Sequence, residues 1–151
     1  MKKLFYMFLL ATLLLSACGK NSAPKDVAVD KNTSVEDIVG AIVKNKFTVE
    51  EKNGTVSISI QDTDVKKGMK NQMLKDSTKI FAELSKLQSV KSPAINWYAP
   101  LTEPKGDKSM TELLNIYFSE EDFRKTNWAN YTELDIESIA THYHQSASLG
   151  Q

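Results

Sequence analysis

Residues 47–60 read FTVEEKNGTVSISI, and this stretch decides the fold class. Phe47 and Val49 alternate with polar neighbours, Asn53-Gly54 suits the positive φ angles of a type I′ turn, and Val56, Ile58 and Ile60 alternate again. A side-chain period of two on both sides of an Asn-Gly pair predicts a β-hairpin with one face on a core and the other wet.

On both flanks the period becomes helical. Upstream, Val35, Ile38, Val39, Ile42 and Val43 follow i, i+3, i+4, i+7, i+8 spacing, with Thr33 and Glu36 at capping-box separation, so a short helix is expected over Ser34 to Asn45. Downstream, Asp62 to Gly68 reads as a polar connection. Met69, Met73, Ser77, Ile80, Phe81, Leu84 and Leu87 then trace one stripe, which predicts the longest helix from about Gly68 to Gln88. Lys75, Lys79 and Lys86 fall opposite that stripe and read as a solvated face.

Pro93 prevents the helix from continuing, and AINWYAP (94–100) alternates again, with Ile95, Trp97 and Ala99 on one face and Asn96 and Tyr98 on the other. MTELLNIYF (110–118) supplies its partner strand with Leu114, Ile116 and Phe118 inward, after a long loop from Pro100 to Ser109. Ser119 followed by Glu120, Glu121 and Asp122 is a helix start, its acids explained by the positive end of the helix dipole. A last helix, capped by Thr132, is expected to carry Ile136, Ile139, Ala140 and Tyr143. The order predicts an α+β domain: a four-stranded antiparallel sheet from two hairpins, with helices packed mainly on one face.

Because Trp97 and Tyr98 point to opposite faces, Tyr98, Leu113 and Tyr117 form a candidate partner-binding group on the second sheet face. The alternative, and the expected arrangement, is that the first helix or the NWANY segment (127–131) folds over and buries this group. His142 and His144 are the only histidines, and on a helix residues two apart point in nearly opposite directions, so no metal site is expected. On a strand they would share a face. Asp62-Thr63-Asp64 lacks the glycine and glutamate of a calcium loop and reads as a turn. No phosphate loop, nucleophile elbow or HExxH pattern is present, so neither an enzyme nor a cofactor is expected.

The N-terminus has a different logic. Lys2 and Lys3 precede the apolar run Leu4 to Leu15, broken only by Thr12, and small residues follow. That is the architecture of a signal peptide, and the run falls well short of the roughly 20 apolar residues that span a bilayer. With Lys2 and Lys3 removed, 19 basic residues become 17 against 19 acidic, a balance that gives no electrostatic case for nucleic acid.

Leu15-Ser16-Ala17-Cys18 resembles the bacterial lipobox, and Cys18 is the only cysteine in the chain. The resemblance implies that signal peptidase II recognises Leu15, Ser16 and Ala17 and cuts before Cys18. The Cys18 thiol would carry a diacylglyceryl group, and the new amino group can be acylated as well. It implies residues 1–17 as leader, 18–33 as lipidated N-terminus and flexible tether, and 34–151 as a single domain. Two acyl chains hold a protein durably on a bilayer, which implies the extracytoplasmic face of the cell membrane.

INWYAPL (95–101), LLNIYFSEEDF (113–123) and Asn127-Trp128 are similar to small uncharacterised lipoproteins of Gram-positive bacteria, some carried by prophages or other mobile elements. That resemblance implies a non-catalytic interaction role at the envelope, such as exclusion of competing phage or mobile elements, with an envelope protein as partner. The alternative function is a small ligand-binding or transport-accessory lipoprotein, which would need a closed apolar pocket.

Overall fold

The structure, a computed structural model, describes residues 28–30, 32–64, 66, 68–102, 106 and 108–150. In chain order the elements are α1 (Val35–Ile42), β1 (Lys46–Lys52), β2 (Thr55–Gln61), α2 (Met69–Leu84), β3 (Ser92–Thr102), β4 (Lys108–Tyr117) and α3 (Glu120–Lys125). A 3-10 segment (Trp128–Glu133), α4 (Ile136–Ile139), β5 (His142–Gln145) and a 3-10 turn (Ala147–Gly150) complete it. The α+β class is as expected.

The first hairpin forms about the expected turn, with Asn53 at φ 53° and Gly54 at φ 83°. Phe47 pairs with Ile60 and Val49 with Ile58, so the apolar residues of both strands line one face. Gly54 has a second duty. Its carbonyl accepts from Lys91 N at 2.7 Å and Ser92 N at 3.1 Å, and so delivers β3 to the edge of β2.

That delivery changes the sheet. The expected all-antiparallel four-stranded arrangement is replaced by five strands in the order β1-β2-β3-β4-β5, with β2 and β3 parallel. The reason lies in α2: sixteen helical residues, about 24 Å, carry the chain back along the sheet, so β3 starts at the end where β2 started.

The fifth strand corrects the expected last helix. α4 is a single turn that stops when Ala140 turns extended (φ −63°, ψ 143°), and His142–Gln145 then pairs with β4. Ile136, Ile139, Ala140 and Tyr143 do fit a helical spacing, but Tyr143 serves the sheet, lying opposite Ile116 on the core face. β4 would otherwise end the sheet with a bare edge, and pairing satisfies those backbone groups.

The helices lie on one face. Trp97 of β3 donates its indole N–H to Ser77 Oγ of α2 at 2.9 Å, and Phe81 of α2 packs edge-on to Phe118 with ring centroids 5.0 Å apart. Phe123 of α3 and Trp128 complete a four-ring cluster, and Trp128 Nε1 donates to the Phe123 carbonyl at 2.8 Å. Residues 127–131 therefore pack with the helices and not across the second face of the sheet.

α1 also joins this layer, burying Val35, Ile38 and Val39. Its cap is Ser34 with Asp37, not Thr33 with Glu36, and Thr33 instead bonds back to Asp30. Two boundaries are tighter than expected. α1 ends at Ile42, and α2 ends at Leu84, where short-range bonds such as Leu87 N to the Leu84 carbonyl finish the turn. Among the described residues no helix is long and apolar enough to cross a membrane.

Candidate functional site: the open face of the sheet

With the helices on one side, the other side of the sheet is left open, and strand register arranges its side chains in rows. Thr48, Ser59, Asn96, Asn115 and His144 lie opposite one another across all five strands. The next row reads Glu50, Ser57, Ala94, Tyr117 and His142. A third runs Lys46, Gln61, Tyr98 and Glu112. The period of two that buries Val56, Ile58, Ile60, Ile95, Trp97 and Ile116 necessarily turns these polar residues outward.

The rows are cross-linked. Asn115 Nδ2 donates to Asn96 Oδ1, and Asn96 Nδ2 donates to Ser57 Oγ at 3.4 Å. Tyr98 OH donates to Glu112 Oε2 at 3.4 Å. Partial burial raises the Tyr98 pKa, and the neighbouring Glu112 charge raises it further, so the phenol keeps its proton and remains a donor. A flat sheet of amides, hydroxyls and half-buried tyrosines can stack and hydrogen-bond.

The structure separates the three residues expected to act together. Tyr98 and Tyr117 are half-buried on this face, and α1 and residues 127–131, which could have covered them, lie on the other. The expected cover is thus corrected. Leu113, by contrast, is fully buried. A register shift pairs Trp97 with Leu114 but Tyr98 with Glu112, which leaves Leu113 as the extra residue of a β-bulge. The bulge resets the alternation, so Leu113 and Leu114 both enter the core.

His142 and His144 are both exposed, on β5 and not on a helix, and so share the open face. Among the described residues no group of three or more His, Cys, Asp or Glu could hold a metal ion. Asp62 is buried and accepts the Asp64 N–H at 2.9 Å, as a turn residue does. Glu120, Glu121 and Asp122 occupy the first turn of α3, where Ser119 caps it. Leu15, Ser16, Ala17 and Cys18 lie outside the described residues.

A second concavity of about 560 Å³ lies between α2 and residues 131–137, lined in part by Leu74, Asp76, Lys79, Tyr131, Leu134 and Ile136. Here the solvated reading of Lys79 is corrected: its side chain is buried in the wall of this groove, while Lys75 and Lys86 are exposed. Burial raises the Asp76 pKa, opposed by a hydrogen bond from Gln72 Nε2 at 2.8 Å and by the Lys79 charge. At the groove's rim Lys70 Nζ meets Glu137 Oε1 at 2.7 Å, which holds the Glu137 carboxyl below its ordinary range. Nothing in the local pattern of α2 marks this groove, because its second wall is made by residues some sixty positions later in the chain.

Comparison with protein-family models, with curated proteins and with solved structures finds no match.

Proposed function

We propose that this chain is a membrane-anchored extracytoplasmic lipoprotein whose domain works by contact, as a non-catalytic interaction module at the bacterial cell envelope. The observation that carries the reading is Leu15-Ser16-Ala17-Cys18 behind a basic and apolar leader. The lipid on Cys18 would confine the domain to the membrane surface, and residues 18–33 would tether it there. The open sheet face, with Tyr98 and Tyr117 amid amides and hydroxyls, is a surface suited to an envelope protein, since interface cores favour tyrosine over charge. Exclusion of competing phage or mobile elements is a role that such a module would serve.

Mass spectrometry of the mature N-terminus tests the anchor. The expected product begins at acylated Cys18, and Cys18→Ala should leave the precursor uncut; an unmodified chain starting elsewhere defeats the reading. Crosslinking in intact envelopes tests the module. Recovery of one protein by the wild type and its loss in a Tyr98→Ser/Tyr117→Ser variant would support it. No specific crosslink, together with unchanged phage and conjugation sensitivity on gene deletion, would defeat it.

The groove beside α2, an open one in place of the closed pocket expected for it, is the observation behind a second reading, a small-ligand or transport-accessory lipoprotein. Its apolar wall of Leu74, Leu134 and Ile136 with Asp76 and Lys79 at one side would suit a small amphipathic molecule. A thermal shift with an envelope metabolite, abolished by Leu74→Trp, would promote this reading over the first.

A further inference from the structure

From the geometry of β5 we infer a binding site for a borderline divalent transition metal ion, of the Cu2+, Ni2+ or Zn2+ class, formed by the imidazoles of His142 and His144. In a strand, alternate residues share a face and their Cα atoms are about 6.6–6.8 Å apart, a separation that two imidazoles can close around one ion. Both side chains are exposed on the open face, and among the described residues no hydrogen bond or ion pair occupies either ring.

The backbone that carries them is held at both ends. Ser119 N donates to Thr141 Oγ1 at 2.8 Å just before the strand, and Ser146 N donates to the Leu113 carbonyl at 2.8 Å just after it. Between these ties all four residues of β5 are paired with β4. Tyr143, on the opposite face, packs against the core, and this together with the pairing to β4 fixes which face carries the two rings.

The surroundings admit a cation. The open-face residues nearest the pair are Tyr117, opposite His142, and Asn115, opposite His144, and beyond them Ala94 and Asn96; none is positively charged. Asn115 directs its amide N–H to Asn96, which leaves its carbonyl oxygen to accept from a metal-bound water. Imidazole suits Cu, Ni and Zn in preference to Ca or Mg. With two protein ligands the remaining positions belong to water, so this is an open, exchangeable site and not a closed structural one.

The test titrates the full chain, purified in detergent as the cell processes it, with Cu2+ and separately with Zn2+ by calorimetry in chelator-free buffer. Chelation makes the second contact intramolecular, so His142→Ala and His144→Ala should each weaken binding roughly a hundredfold, to the level of the double variant, with Cu2+ tighter than Zn2+. A site that survives either single substitution at wild-type affinity overturns the inference, as does equal binding by all the variants. If a variant fails to fold, Cu2+ added to the wild type must broaden nuclear magnetic resonance signals of β5 and its β4 partners first. Broadening centred elsewhere overturns the inference.

Discussion

Trp97 and Ser77, twenty residues apart, meet where the sheet touches α2: the indole N–H reaches Ser77 Oγ at 2.9 Å with both side chains sealed from water. The serine in the apolar stripe of α2 is therefore the partner that lets a tryptophan sit under the helix. Ser77→Ala leaves a buried donor unsatisfied and should lower stability by about 1–3 kcal/mol. Urea denaturation followed by tryptophan fluorescence checks this; an unchanged midpoint would show that the bond contributes nothing.

Leu113 and Tyr117, both expected on one face, should respond unequally. Leu113→Ala empties a fully buried position and should cost about 2–5 kcal/mol, whereas Tyr98→Ser and Tyr117→Ser should cost markedly less and retain the native circular dichroism spectrum. Comparable losses at all three positions in thermal denaturation would contradict the placement of the bulge.

Gly54 joins a positive φ to a close approach. A Cβ there would stand 2.8 Å from the Lys91 side chain and 3.1 Å from the Ser89 carbonyl, at φ +83°. Gly54→Ala should destabilise by about 1–2 kcal/mol from backbone strain alone, and the displaced Lys91 adds to it. Since Gly54 also holds β3 to β2, amide exchange at Lys91 and Ser92 should accelerate before global unfolding.

Asp122 carries an acid-sensitive tie. Hydrogen bonds from Thr141 Oγ1 and then from Ser119 Oγ hold its carboxyl below the ordinary range. A carboxyl depressed in the folded state stabilises the fold above its unfolded value, near pH 4, and that contribution is lost as pH falls through the folded value. Thr141→Val should therefore lower stability at pH 7 and make the loss on acidification below about pH 4 less steep. Parallel acid limbs for the two proteins, read by urea midpoints across pH, would argue against this.

Much of the domain was legible locally. Asn53-Gly54 with its flanking alternation specifies the first hairpin, Ser119 with its acids specifies α3, and the stripe from Met73 to Leu84 specifies α2, because each signal lies within one element. Tyr98 and Tyr117 on the open face were also legible, from the alternation about Trp97 and Ile116. Leu113 was not, because a bulge shows only when two strands are aligned. The Asn96–Asn115 link and the Asp76–Lys79 groove were hidden for the same reason, as each needs a partner from a remote segment.

His142 and His144 mark the division most plainly. The sequence by itself determined that two imidazoles stand two residues apart, that the chain is α+β, and that an apolar run ends at Leu15-Ser16-Ala17-Cys18, all of them short-range facts. Only the tertiary structure decided that 142–145 is a strand, that β2 and β3 run parallel, and which sheet face stays open. Ile136 to Tyr143 carry a helical spacing, and the strand at 142–145 is decided instead at the unpaired edge of β4, whose backbone groups gain hydrogen bonds that one more helical turn could not supply.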